Sequence, residues 1–128
     1  MSKDVTLSEL QMDIMRVLWQ RGEATVAEVH QDLLAHRDLA PTTVATMLSR
    51  LEKRGLLDHR TEGRQYIYLP QVTEGEVRRG MVGDLVRQVF RGDFKALVSH
   101  LVKDNEISGD DLDAIRALIE DAEKREKR

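Results

Sequence analysis

The chain has 128 residues, of which 41% are hydrophobic and 34% are charged, and its formal net charge is −3 at pH 7. This composition is typical of a folded, helix-rich protein of one domain or two very small ones, and the absence of cysteine excludes disulfides, thiolate metal sites and cysteine nucleophiles. Neither the apolar core of a signal peptide nor an apolar run long enough to span a bilayer is present, so we expect a cytoplasmic protein without membrane insertion.

Three helices are predicted in the first half of the chain. The first two each begin at a capping box, which Ser8 forms with Gln11 and Thr25 forms with Glu28. The third begins at Pro41, where the missing N–H costs nothing, and ends at a glycine about 14 residues later, which gives a length of roughly 21 Å. Apolar residues recur along these helices at helical spacing, so one face of each is directed to a core.

The third helix has two faces of different chemistry. At about 100° per residue, one arc is apolar and consists of Val44, Met47, Leu48 and Leu51. The remaining surface carries short hydroxyl groups near the start of the helix and cations near its end, namely Thr42, Thr43, Thr46, Ser49, Arg50 and Lys53. Such a face suits a DNA major groove, with Arg50 placed for a guanine and Lys53 for a phosphate. The pattern predicts a DNA-binding helix.

After this helix the pattern changes from helical to alternating. Residues 56–60 and 64–69 predict two strands joined by a turn at 61–63, which together form a β-hairpin. His59, Arg60 and Arg64 lie around the turn and suit phosphate contacts. Three short helices followed by a basic hairpin are the plan of a winged helix-turn-helix domain, which we assign to residues 1–71.

Residues 72–128 predict three further helices and no strand. The first begins at a capping box of Thr73 and Glu76, and Gly80 and Gly83 fall inside it with a role that stays open. A helical unit this small is marginally stable by itself, so its apolar stripes indicate pairing with an identical chain. The predicted dimer interface consists of Val77, Met81, Leu85, Val89, Phe94, Leu97, Leu101, Leu112, Ile115 and Leu118.

The motif content does not indicate an enzyme. The sequence has no glycine-rich nucleotide loop, no zinc-protease motif and no nucleophile elbow, and its histidines are scattered without ligand spacing. We therefore expect no catalysis, no metal and no cofactor. Two alternatives stay open beside a simple DNA-binding repressor. One is a repressor that senses a small ligand between its two domains and is released without cleavage, and the other is a winged-helix module that binds protein and ignores DNA.

Four motifs follow one another along nearly the whole chain. They are Leu7-Ser8-x-x-Gln11-x-x-Ile14-Met15-x-x-Leu18-Trp19, Thr42-Thr43-Val44-x-Thr46-x-Leu48-x-Arg50-Leu51-x-Lys53-x-Gly55-Leu56, Val89-Phe90-x-Gly92-x-Phe94-x-x-Leu97-Val98 and Ile107-Ser108-x-x-x-Leu112. In this order they resemble the penicillinase-repressor family of winged-helix transcriptional regulators, of the BlaI/MecI type. The resemblance implies a mostly helical fold with a small β-hairpin wing, a three-helix C-terminal dimerisation domain, and a homodimer that represses transcription at a palindromic double-stranded DNA operator.

The resemblance also bears on operator choice and on release. Ala40 and Ala45 stand where many relatives have a hydroxyl and some have a cation, and Thr42 replaces a cation of some relatives, so the operator sequence is expected to differ. In β-lactam-responsive members a membrane metalloprotease sensor starts cleavage within the dimerisation segment. The bond cleaved in some of them joins Asn to Phe, and the matching dipeptide here, His100-Leu101, marks the candidate cleavage region.

Overall fold

A computed structural model describes residues 6–104 and 107–127 of the chain. Within these ranges the chain forms six α-helices and one three-stranded sheet, in the order α1 (Glu9–Arg21), β1 (Ala24–Thr25), α2 (Val26–Leu33), α3 (Pro41–Lys53), β2 (Leu57–Glu62), β3 (Gln65–Pro70), α4 (Glu74–Phe90), α5 (Phe94–Asp104) and α6 (Gly109–Glu126). The predicted fold class, mostly helical with a small hairpin, is confirmed. Among the described helices, none combines the length and the apolar character needed to cross a bilayer.

Local capping chemistry sets where the helices begin. At the start of α1 the Gln11 backbone N–H donates to the Ser8 hydroxyl at 3.1 Å, and the Ser8 backbone N–H donates to the Gln11 side-chain oxygen at 2.9 Å. The same reciprocal pair of bonds opens α2 and α4. At the start of α3, Pro41 occupies the first turn and Ala40 provides no side-chain cap. The three predicted capping boxes are confirmed.

The hairpin pairs with a third strand that the sequence pattern did not predict. β2 and β3 are antiparallel from Leu57 opposite Pro70 to Glu62 opposite Gln65, and Gly63 in the turn has a φ of 62°, which favours glycine. β1 adds to the free edge of β3, so the strand order is β1-β3-β2. A strand of two residues is too short to produce an alternating pattern.

The chain divides into two compact units, Met1–Asp84 and Leu85–Arg128. In the first unit, α1 to α3 and the hairpin enclose a core whose largest fully buried side chains include Ile14, Met15, Leu18, Leu48, Leu51 and Leu56. The Trp19 indole N–H donates to the Val72 carbonyl oxygen at 2.9 Å, which joins α1 to the segment before α4. The first half of α4 thus belongs to this unit, because Val77 is fully buried in the same core and Met81 packs against it.

The second unit contains the end of α4 together with α5 and α6. The break after α4 is made by Arg91 and Gly92, whose φ angles of 53° and 86° are left-handed. Ser108 caps α6 by accepting a hydrogen bond from the Asp111 backbone N–H at 3.1 Å. No described residue of α5 or α6 is buried.

Candidate nucleic-acid interface

The packing of α3 determines which of its side chains are accessible. Val44, Leu48 and Leu51 are 0% exposed, because this stripe lies against the core of the first unit. The opposite face therefore lies at the surface. There the predicted DNA-contacting residues Thr42, Thr43, Thr46, Arg50 and Lys53 are exposed and Ser49 is half-buried.

Three cations of this surface are uncommitted. The side chains of Arg50 and Lys53, near the end of α3, and of Arg64, in the hairpin turn, have no hydrogen-bonding or ion-pair partner within residues 6–104 and 107–127. All three side chains are exposed. Their charges are thus available to an anionic ligand without the loss of an existing ion pair.

Arg60 differs from these three cations, although a phosphate contact is predicted for it as for Lys53 and Arg64. Its guanidinium donates to both carboxylate oxygens of Glu23, at 2.9 Å and 3.0 Å, and to Glu62 at 2.7 Å. The hydrogen bond with Glu23 is the main reason why the pKa of Arg60 is raised. The exposed Arg60 side chain thus fastens β2 to the loop before β1, and the phosphate contact predicted for it stays a prediction.

His59 is also engaged within the chain. Its Nδ1 lies 2.6 Å from Oε2 of Glu52 on α3, and its ring stacks on the ring of Tyr66 with centroids 4.1 Å apart and an angle of 16° between the planes. Nδ1 is thus engaged within the chain, and the phosphate contact predicted for His59 stays a prediction. Glu52, Asp58 and His59 each have one potential metal-ligand atom, and these atoms lie within 4.8 Å of one another. The hydrogen bond between His59 and Glu52 accounts for their closeness without an ion.

A cleft of about 850 Å³ separates α3 from the hairpin. One wall is formed by the small side chains Pro41, Ala45 and Ser49, which succeed one another every four residues along α3. The lining also includes Thr25, Val26, Ala27, His30, Gln31, Arg64, Gln65, Tyr66 and Tyr68. Burial is the main reason why the pKa of the Tyr68 hydroxyl is raised. The sequence pattern does not identify Gln31 and Gln65 as cleft residues, since a lone glutamine gives no distinctive signal.

The predicted dimer residues have two different environments. Val77 is buried in the first unit's core, so in this structure it presents no surface to a second chain, and Met81 is half-buried there. Leu97 and Ile115 are half-buried in the second unit. The remaining predicted positions are at least 37% exposed, namely Leu85, Val89, Phe94, Leu101, Leu112 and Leu118, and so are Val98, Val102 and Ile119, which were not among the predicted interface residues.

The candidate cleavage region lies on the same helix as part of this apolar surface. His100 and Leu101 are both exposed on α5, and Nδ1 of His100 lies 3.1 Å from a carboxylate oxygen of Asp104. The His100 ring also lies beside Phe90, with centroids 6.0 Å apart. A protease would need to unwind this part of α5, since both residues are in regular helix.

Comparison with known proteins agrees with this geometry. A family model described as penicillinase repressor matches residues 7–121. The penicillinase repressor of Bacillus licheniformis is 26% identical over 127 residues, 99% of each chain, and the transcriptional regulator BlaI of Mycobacterium tuberculosis is 35% identical over 125 residues, 96% of this chain and 89% of its own. The solution structure of the Bacillus licheniformis BlaI monomeric form in complex with the blaP half-operator is similar with a TM-score of 0.50 and 33% identity, over 59% of this chain and 93% of that one.

Proposed function

Since the chain belongs to the penicillinase-repressor family, we propose that it is a transcriptional repressor that binds a palindromic DNA operator as a homodimer. It is a regulator and not an enzyme, in keeping with the family. A relative solved on a half-operator favours this function over a winged-helix module that binds only protein. Because the proposed ligand is chromosomal or plasmid DNA, we place the protein in the cytoplasm.

The observation that carries the proposal is the accessible face of α3. Its hydroxyl groups and its two uncommitted cations project from a helix whose other face is fixed in the core. A major groove admits one α-helix, and short hydroxyl side chains and arginine are suited to its base edges. We assign Arg50 to a guanine, Lys53 to a phosphate, and Thr42, Thr43, Thr46 and Ser49 to base edges or the adjacent backbone.

The hairpin supplies the second contact. In a winged helix the recognition helix enters the major groove while the hairpin reaches the flanking backbone. Arg64 is exposed in the hairpin turn and has no partner among the described residues, so it is the wing cation that we assign to a phosphate. His59 and Arg60, whose phosphate contacts stay part of the proposal, also hold the hairpin in place through Glu52 and Glu23.

The apolar surface of the second unit supports the homodimer. Monomeric proteins rarely leave so many large apolar side chains in water, and a second copy of the same surface is the simplest cover. Part of it is a shallow groove of about 490 Å³ along α5, lined by Phe94, Val98 and Val102 among others. A twofold dimer presents two recognition helices to two half-sites of a palindrome.

Release from the operator follows one of two routes in this proposal. In the first, a membrane metalloprotease sensor starts cleavage near His100 and Leu101, which divides α5 and removes the dimer's apolar surface. In the second, a small ligand enters the cleft of about 850 Å³ between α3 and the hairpin and blocks DNA without cleavage. The length of the chain recovered after induction distinguishes the two routes.

Selection of bound duplexes from a random pool, at about physiological salt, tests the proposed function. We expect an inverted repeat whose half-sites are separated by about one helical turn or a multiple of it. A single unrepeated site would contradict the dimer, and no enrichment of any sequence would contradict the repressor.

A further inference from the structure

Three side chains from three different elements meet where the hairpin joins α3. Glu52 comes from the last turn of α3, His59 from β2 and Tyr66 from β3. The carboxylate of Glu52 is an acceptor only, so the bond of 2.6 Å requires His59 to donate its Nδ1–H. The His59 ring also stacks on the ring of Tyr66, which joins β2 to β3 at the same place.

We propose that Glu52, His59 and Tyr66 form a latch, the helix–wing latch, which holds the hairpin at the distance from α3 at which both contact one duplex. This inference rests on the proposed function and adds positioning residues to it. None of the three needs to touch DNA for the latch to act. The latch acts on DNA affinity by positioning Arg64.

The positions of the latch residues along the chain support this role. Glu52 directly precedes Lys53 and follows Arg50 by two residues, while Tyr66 follows Arg64 by two residues. The latch therefore joins the cations of the recognition helix to the cation of the wing by one hydrogen bond and one ring stack. Tyr66 also lines the cleft between the two, so the latch fixes part of its wall.

The environment of the hydrogen bond makes it more effective than a surface ion pair. The side chains of His59 and Glu52 are 28% and 27% exposed, and a second ring, that of Tyr68, lies 5.8 Å from the His59 ring. Partial burial reduces screening by solvent, and a short bond to a carboxylate is among the stronger hydrogen bonds in proteins. The bond thus adds a restraint on the α3 side of the hairpin to those that β1 and the Arg60–Glu23 ion pair provide.

Electrostatic repulsion alone predicts the opposite change in DNA affinity when Glu52 is replaced. The direction of the measured change therefore tests the latch. A carboxylate close to DNA repels phosphate, so its removal tightens binding if charge is all that matters. Removal of the latch acceptor weakens binding if position matters. Glu52→Ala removes both the charge and the acceptor, whereas Glu52→Gln removes the charge and keeps an acceptor for His59.

The experiment measures operator affinity of the full-length chain by fluorescence anisotropy at about physiological salt. We expect Glu52→Ala to bind about fivefold more weakly than wild type, because the hydrogen bond that restrains the hairpin is lost. Glu52→Gln should bind as well as wild type or more tightly. Asp58→Asn is the matched control, because it removes a neighbouring charge and keeps the acceptor for the His59 backbone N–H, and it should behave like Glu52→Gln.

A double-mutant cycle with Arg64→Ala separates positioning from general damage. We expect Arg64→Ala to cost about fivefold in the wild-type background and less than about twofold in the Glu52→Ala background, since an unlatched wing no longer places Arg64. Losses that simply multiply would overturn the latch. Should Glu52→Ala fail to fold, as judged by circular dichroism, His59→Phe keeps the stack, removes the hydrogen bond and is used in its place.

The outcomes also separate this inference from the proposed function. A wild-type chain that prefers no duplex contradicts the repressor and the latch together. A wild-type chain that binds its operator, while Glu52→Ala binds equally well or better, contradicts the latch alone.

Discussion

The two units of the chain bury their apolar residues to very different extents. In the first unit Leu18, Leu48 and Leu51 are completely buried, whereas in the second unit Phe94 is 60% exposed and Leu118 is 66% exposed. The first unit thus completes its own core and uses its polar surface for a ligand. The second leaves large apolar side chains exposed, and we infer that another copy of the chain buries them.

The largest expected effect comes from leucines matched across the two units. Leu18→Ala should reduce the free energy of unfolding by about 3 kcal/mol, because it leaves a cavity in a closed core. Leu118→Ala should leave the protomer's fold intact and weaken the dimer instead. Chemical denaturation and sedimentation, each over a range of protein concentrations, measure the two quantities. A Leu118→Ala chain that dimerises like wild type would contradict the contrast between the units.

Truncation tests where the first unit ends. A chain ending at Asp84 keeps Val72 and Val77 in the core, so we expect a folded monomer whose operator affinity is about 100-fold lower than that of the dimer. A chain ending at Gln71 lacks both valines and should unfold at a lower denaturant concentration, since each contributes roughly 1.5–3 kcal/mol of burial. Equal stability of the two truncated chains would contradict the inclusion of α4 in the first unit.

Substitutions on α3 sharpen the functional side of the comparison. Arg50→Ala should cost about 1–3 kcal/mol and relax base preference at one operator position, whereas Lys53→Ala should weaken binding evenly and lower the salt dependence by about one phosphate contact. Anisotropy titrations on the operator and on single-base variants, at several salt concentrations, measure both effects. Equal losses on every duplex for both variants would refute the guanine contact assigned to Arg50.

A smaller difference is expected between the variants of Arg60 and Arg64, which both lie in the hairpin. Arg64 is uncommitted, so Arg64→Ala should lower DNA affinity and leave stability unchanged. Arg60 is bound by Glu23 and Glu62, so Arg60→Ala should act on stability more than on DNA. Thermal melting beside DNA titration separates the two. A larger DNA loss for Arg60→Ala than for Arg64→Ala would reverse the assignment.

The smallest expected effect is on the pH dependence of the melting temperature. Asp32 accepts hydrogen bonds from Arg21 at 2.7 Å and 2.9 Å, which lower the pKa of its carboxyl. A folded-state pKa below the unfolded one stabilises the fold at neutral pH, and the contribution is lost as the pH falls below about 4. Asp32→Asn should therefore melt slightly lower than wild type at pH 7, and this difference should shrink as the pH falls below about 4 and through the lowered folded-state pKa. A difference that stays constant as the pH falls would assign the effect to something other than ionisation.

Features encoded by neighbouring residues could be predicted from the sequence. The three capping boxes and Pro41 at the start of α3 depend on residues close in the chain, and all of them are where the pattern predicts. The accessible face of α3 follows from helical periodicity alone. For the same reason its six candidate DNA contacts could be named before the fold was known.

Features that depend on distant partners could not be predicted. Residue type identifies Arg60 as a cation, but the ion pair with Glu23 joins residues 37 positions apart and exists only in the folded chain. Val77 shares the helical stripe of the predicted interface, yet the fold places it in the core of the first unit. Likewise, nothing in the local sequence indicates that His59 stacks on Tyr66.

The central claim is that the exposed surface of the second unit pairs two chains so that two α3 helices bind one duplex. Sedimentation of the full-length chain, alone and with a selected duplex at low ionic strength, tests it most directly. We expect a dimer in solution and two chains on each inverted repeat. A chain that stays monomeric and binds no duplex in preference to another would contradict it.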